Sequence, residues 1–222
     1  MAEASKLVSE QSTQVLSISG LRRSYGDGPI LDGFDLELNK GDHTLILGAS
    51  GSGKTTLINL ICGLLSPEAG EITVCDQSIS QAKATERDRI RREYIGFVPQ
   101  QVRLVSALTL EQNLRLAQKL AGSGPDEDAI KKIVSDVGLS HRINAKPRQL
   151  SQGEAQRGAI ARALIANPAL LIADEPTAAL DDANAERVVQ LFLEAADAQG
   201  STLLIATHDL RLKDHFKNSI TL

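Results

Sequence analysis

The densest chemical signal in the sequence is the run Gly48-Ala49-Ser50-Gly51-Ser52-Gly53-Lys54-Thr55. It follows the pattern G-x-x-x-x-G-K-[ST] and stands between a short apolar run, Thr44 to Leu47, and a helix-period run from Lys54 to Leu65. Glycines at this spacing let the backbone fold tightly enough for its N–H groups to converge on phosphate oxygens. The start of the following helix adds a partial positive charge at the same place. Lys54 would neutralise the β- and γ-phosphates of a nucleotide, the Thr55 hydroxyl would ligate Mg²⁺, and Thr56 shares that first helical turn. A ligand-free glycine turn is the bland alternative; strand, helix and Lys-Thr pair together argue against it.

A metal held by phosphates needs a carboxylate on a neighbouring strand. Leu170-Leu171-Ile172-Ala173-Asp174-Glu175 provides one, because four apolar residues make a fully buried strand and the two acids emerge at its C-terminal edge. Asp174 would hold Mg²⁺, and Glu175 would polarise the attacking water as general base or as water-orienting group. Without the glycine-rich run upstream, Asp174-Glu175-Pro176 would read as a plain turn.

The elements that must position these groups follow from periodicity. Val15 to Gly20 and Phe34 to Leu38 alternate as half-buried strands, and short strands are expected at Glu71 to Val74 and Tyr94 to Val98. From Leu108 to Leu120, Asp126 to Val137 and Gln152 to Ala166 the apolar period becomes helical, with Gly122-Ser123-Gly124-Pro125 as a break. Strand patterns return at Leu170 to Ala173, Thr202 to Ala206 and Ser219 to Leu222, with a helix from about Asp182 to Ala198 between the first two. Strands alternating with helices through short connections predict a parallel sheet. Residues 1–13 are expected to form a loose tail. The stretch from Lys83 to Glu93 mixes charges at helical spacing, which favours a solvated face over a nucleic-acid patch.

Composition sets outer bounds. The chain has 222 residues, 42% of them hydrophobic, and a formal net charge of −4, which argues against a nucleic-acid partner. Aromatics make up only 3%, so any exposed one is a candidate for ligand contact. Cys62 and Cys75 fall in apolar or strand-like runs without metal-ligand spacing and are expected to be reduced, buried thiols. No apolar run reaches the roughly 18 residues of a membrane span, and Met1 to Gln14 lacks the features of a signal peptide. A cytoplasmic protein is expected, unless a partner draws it to a membrane.

Between the two phosphate-site elements lies Leu150-Ser151-Gln152-Gly153-Glu154, followed by Ala155-Gln156-Arg157 and a helical run. Here the chain resembles the ATP-binding-cassette (ABC) ATPases, whose signature is LSGGQ or a close variant; the resemblance extends from about Val15 to Leu222. It implies a P-loop NTPase (RecA-like) α/β core with an N-terminal antiparallel β-subdomain, over 14–100 and 168–222, and an inserted helical subdomain over 101–167. It implies ATP and Mg²⁺ as ligands, and a second ATPase subunit, a homodimer being expected, whose Ser151 and Gly153 close over ATP held by the first. The local chemistry agrees, since a Ser hydroxyl, a Gly backbone and a helix N-terminus make an anion site. Ser151 with Glu154 three residues on also reads as a capping box.

The same resemblance assigns Gln100 as a metal- and water-sensing residue at the end of Ile95-Gly96-Phe97-Val98-Pro99, with Gln101 leaving the register open by one residue. It makes Ala179-Leu180-Asp181 a dimer-contact loop, His208 a γ-phosphate ligand and Tyr25 an adenine-stacking aromatic. His43, His141 and His215 match nothing and are read as surface residues. Gln152 stands where the usual signature has its first Gly, and Glu154 where it has Gln. The stretch from Arg91 to Leu116 is similar to ATPases of the lipoprotein-releasing, macrolide-exporting and cell-division type, which implies an integral-membrane permease partner. Val102, Leu104, Val105 and Leu108 are then candidates for a groove that takes a permease helix, or else for the core of the helical insertion. Cytosolic ABC proteins of translation or DNA repair, and cassettes that bind ATP with little turnover, are the other classes considered.

Overall fold

The computed structural model describes residues 13–26, 28–178 and 180–222. The tail expected over 1–13 falls almost wholly outside them, as does Ala179 of the expected dimer-contact loop.

Two sheets organise the described residues. The first is antiparallel and four-stranded, in the order β2-β1-β4-β5: β1 (Gln14–Tyr25), β2 (Gly28–Asn39), β4 (Ala69–Val74) and β5 (Gln77–Ser78). In β2, Leu36 and Leu38 are buried while Asp35 and Glu37 are exposed, so the alternation is that of a sheet covered on one face. The second sheet is parallel and five-stranded, in the order β6-β7-β8-β3-β9. Its strands are β3 (Thr44–Leu47), β6 (Ile95–Val98), β7 (Leu170–Asp174), β8 (Thr202–Thr207) and β9 (Asn218–Thr221).

The continuous apolar runs of β3, β7 and β8 have a direct cause, because successive side chains enter different cores. Leu45, Leu47, Leu171, Ala173, Leu203 and Ile205 join one hydrophobic cluster, and Ile46, Leu170, Ile172, Leu204 and Ala206 the other. Pairing also levels the strand ends. Leu47 lies opposite Thr207, Asp174 opposite Ala206, and Val98 opposite Ala173. Whatever follows β3, β6, β7 and β8 therefore emerges along one edge.

Helix α1 (Lys54–Ile61) starts at Gly53, whose φ of 101° lies in the left-handed region. A Cβ at Gly53 would also come within 2.4 Å of Ile30 Cγ2. The helix stops at Ile61, short of Leu65, because Gly63, at φ 64°, turns the chain away. The charged stretch after β5 is α2 (Ala84–Tyr94), which fully buries only Ile90 and leaves its ionic groups exposed or half-buried. Between β6 and β7 come α3 (Leu110–Leu120), α4 (Glu127–Asp136), two short 3-10 turns (Ser140–Arg142 and Pro147–Gln149) and α5 (Gln152–Leu164). Helix α5 lies against β6 at Gly96, where a Cβ would come within 2.5 Å of the Ala163 carbonyl oxygen. The long α6 (Asp182–Gln199) returns the chain to β8.

His43 departs from the surface reading. Its side chain is only 16% exposed, with Nδ1 accepting from the Leu203 N–H at 3.0 Å and Nε2 at 2.9 Å from Asp197. It ties β3 and β8 to the end of α6 through a partner more than 150 residues away, which no local pattern records. His141 and His215 are exposed as expected. Cys62 is buried, and its thiol is pushed up to about 12 by burial; Cys75 is half-buried.

Candidate functional site

Residues after β3, β7, β8 and β6 meet at the common strand edge. Lys54 is almost fully buried, and its ammonium donates to the carbonyls of Gly48 (2.7 Å) and Ala49 (3.0 Å). It also stands 3.3 Å from Glu175 Oε1. The Thr55 hydroxyl donates to Asp174 Oδ2 at 2.9 Å. Asp174 Oδ1, though buried, has no hydrogen-bond partner, and neither has the buried Ser52 hydroxyl. A buried carboxylate oxygen with no partner, beside a threonine hydroxyl, is a hard-oxygen donor set that suits Mg²⁺.

Glu175 sits at a strained corner. Its φ of 46° is unusual for a residue with a side chain and costs about 1–3 kcal/mol. Three groups fix its carboxylate: Thr207 Oγ1 donates to Oε2 at 3.0 Å, His208 Nδ1 lies 2.9 Å from Oε2, and Lys54 faces Oε1. Burial pushes this carboxyl up, but the His208, Thr207 and Lys54 contacts outweigh burial and leave it below the ordinary glutamate value. Asp174 moves the other way: burial raises it, and the Thr55 bond only partly compensates.

These groups border a cavity of about 400 Å³ in front of the glycine-rich loop. Of the residues singled out from sequence, Tyr25, Ser50, Gly51, Gly53, Lys54, Thr55, Thr56, Gln100, Glu175 and His208 line it. Gln100 lines it and Gln101 does not. Gly48 and Ala49 act from behind, as acceptors for Lys54. Tyr25 is 44% exposed, and the Arg23 guanidinium lies 5.0 Å from its ring centroid. Ile30 also lines the cavity, although it belongs to no motif and no local pattern marks it.

Ser151, Gly153 and Asp181 are not brought into this cavity. Ser151 is the exposed N-cap of α5, accepting from the Glu154 N–H at 3.2 Å, while Glu154 Oε2 accepts from the Ser151 N–H at 2.8 Å. Gly153 borders a second cavity of about 1040 Å³, between α5 and α6, which Gln100 and Glu175 also reach. Asp181 caps α6, accepting from the Asn184 N–H at 3.0 Å. The apolar cluster after Gln101 divides: Val102 packs against the core, Leu104 lies beside Gly158 of α5, Leu108 is half-buried and Val105 is exposed.

A glycine-rich loop between a buried parallel strand and a helix, with Asp-Glu at the end of a sheet neighbour, defines a P-loop nucleotide-binding protein. The ABC transporter family model matches residues 31–178. The lipoprotein-releasing system ATP-binding protein LolD of Hydrogenovibrio crunogenus is 42% identical over 208 residues, 90% of each chain. LolD of Bacteroides thetaiotaomicron is 39% identical over 197 residues, covering 88% of this chain and 90% of its own. A dimeric post-hydrolysis structure of the ATP-binding cassette MJ0796 with ADP and Pi superposes with a TM-score of 0.82 at 33% identity, covering 93% of this chain and 94% of that one. The chain belongs to the ABC transporter family and is an ATP-binding subunit of that kind.

Proposed function

We propose that the chain hydrolyses Mg·ATP between two copies of itself and uses the cycle to drive a membrane permease of the lipoprotein-releasing type. The observation that carries the hydrolytic reading is the pair closing β7: Asp174 is joined to Thr55 with one buried oxygen unpartnered, and Glu175 to Lys54 and His208. Phosphates entering the cavity compete for Lys54, which now faces Glu175 and two loop carbonyls. Once Lys54 turns to phosphate, Glu175 keeps Thr207 and His208 and gains an oxygen free to face water. With Thr207 and His208 still on its other oxygen, Glu175 is placed to orient and polarise that water. Thr55, Asp174 and Gln100 are the residues that would hold Mg²⁺, which neutralises charge on the transferring phosphoryl group when bound. His208 and Tyr25 would meet the γ-phosphate and the adenine.

The trans half of the reading rests on Ser151 and Gly153 lying outside the phosphate cavity of their own chain while presenting a helix N-terminus. Asp181, capping the neighbouring α6, would lie at the same contact. The permease reading rests on the LolD relatives. Among the described residues no helix is long and apolar enough to cross a membrane, so attachment would run through the permease. Substituting Glu175→Gln tests the core of the proposal. Turnover should fall about 10²–10⁴-fold with ATP binding retained, and light scattering should detect an ATP-dependent dimer in this slow variant. Hydrolysis at the parental rate would move the water-activating role elsewhere.

A further inference from the structure

The signature helix carries a carboxylate at a place where negative charge is a handicap. Glu154 stands in the first turn of α5, the end that, on the reading above, meets the triphosphate of a second subunit. A helix N-terminus tolerates a carboxylate by itself. A carboxylate and a polyphosphate brought to the same end repel each other.

The fold supplies a counter-charge. Arg142, from the 3-10 turn Ser140–Arg142, donates from Nε to Glu154 Oε1 at 2.8 Å, and His141 Nε2 lies 3.6 Å from the same oxygen. The other oxygen, Oε2, accepts from the Ser151 N–H. With its side chain only 11% exposed, Glu154 has both oxygens committed. Its carboxyl is drawn down to about 2, first by the Ser151 backbone bond and then by Arg142. Arg142 is itself anchored: its N–H donates to the Leu139 carbonyl, and its own carbonyl accepts from Ala145, both at 2.8 Å.

A second cap in the same chain separates the needs of the helix from those of the ligand. At α3, Thr109 and Gln112 build the same reciprocal box, with Gln112 Oε1 accepting from the Thr109 N–H at 2.9 Å. An amide therefore serves the cap as well as a carboxylate does. Arginine accompanies the box that carries the charge.

We propose that Arg142 is a positioning residue for ATP-driven dimerisation: it cancels the Glu154 charge so that Ser151 and Gly153 can approach the partner's phosphates. This rests on the trans role of Ser151. The test uses the full chain in the Glu175→Gln background, scoring dimer formation by light scattering against ATP concentration. Adding Arg142→Gln should raise the half-saturating ATP concentration about tenfold. Adding Glu154→Gln to that should restore it to within about twofold, because the amide keeps the cap and removes the stranded charge. Glu154→Gln alone, with Arg142 intact, should lower it about threefold, and this arm decides the matter if the Arg142 variant does not fold. An unchanged Arg142→Gln, a double variant as weak as the single, or a Glu154→Gln protein needing as much ATP as its parent or more overturns the proposal. A Glu175→Gln protein that stays monomeric overturns the trans reading along with it; one that dimerises regardless of Arg142 overturns this inference alone.

Discussion

The phosphate side and the signature side of the molecule are built to opposite specifications. Lys54 and Asp174 are 5% and 4% exposed, and Glu175 is fixed by three groups of its own chain. Ser151, Gln152 and Gly153 are exposed at the tip of α5, bonded only within their own helical turn. Buried charge demands partners, so the first half must be completed by the fold itself. The second half has its helix cap satisfied and can wait for a ligand. On the proposed reading, a site divided in this way would be switched by association: the fold would fix affinity for one nucleotide, and the exposed half would sense that it is there.

The largest effect that would break this comparison comes from Lys54→Ala. Removing the lysine that lines the cavity should nearly abolish ATP binding by calorimetry while leaving the signature half folded. Unchanged affinity would mean that the buried half is structural.

Next in size is a pair of substitutions that separates core from surface in the helical insertion. Leu104 lies where a Cβ on Gly158 would come within 3.3 Å of its Cδ1, so Leu104→Glu puts a charge into a packed notch and should cost about 3 kcal/mol of stability. Val105 is 42% exposed, and Val105→Glu should change stability by less than about 0.5 kcal/mol. Val105→Glu should nevertheless reduce co-purification with the permease. If both variants unfold alike in urea, the insertion is better packed than its exposure implies.

Smaller still is the proposed adenine contact at Tyr25, whose ring already carries the Arg23 guanidinium 5.0 Å from its centroid, a contact worth about 0.5–1 kcal/mol at an exposed site. Tyr25→Ala should weaken ATP binding by about 1–3 kcal/mol, and Tyr25→Phe by much less. Equal losses in both variants would point to the hydroxyl and away from stacking.

What the sequence made legible follows the same division. The phosphate side was readable because each part leaves a local trace: a four-residue apolar strand, a glycine-rich loop, an acidic pair closing β7. Strands β3, β7 and β8 needed only their apolar runs, since both sheet faces are covered there. Strand β2 extends to Gly28, beyond the alternation visible from Phe34, because the pairing with β1 shifts register at Gly33 and then resumes at Asp32. Strand β5, at two residues, is below the reach of any period. The contacts that went unseen join distant parts of the chain: His43 with Asp197, Thr207 with Glu175, and Arg142 with Glu154 across a 3-10 turn. Periodicity reports which face is buried; it does not report which charge meets which.

The finest effect expected lies in acid, and it isolates the signature half. In the unfolded chain Glu154 should titrate near the ordinary glutamate value of about 4.3, whereas in the fold it is drawn to about 2. A carboxyl depressed on folding stabilises the native state at pH values above its unfolded pKa. That contribution fades as pH falls through the interval between the two values. Glu154→Gln removes this dependence without removing the cap, so any difference between parent and variant in thermal midpoint should be constant from neutral pH to about 5 and then shift against the parent on further acidification. Gln112→Glu at α3 provides the converse, because no arginine among the described residues is hydrogen-bonded to the Gln112 side chain. Its acquired acid dependence should be weaker than that of Glu154. Equal acid dependence at the two caps would mean that the Ser151 backbone bond alone holds the Glu154 charge, and that Arg142 adds nothing to the stability of the isolated subunit.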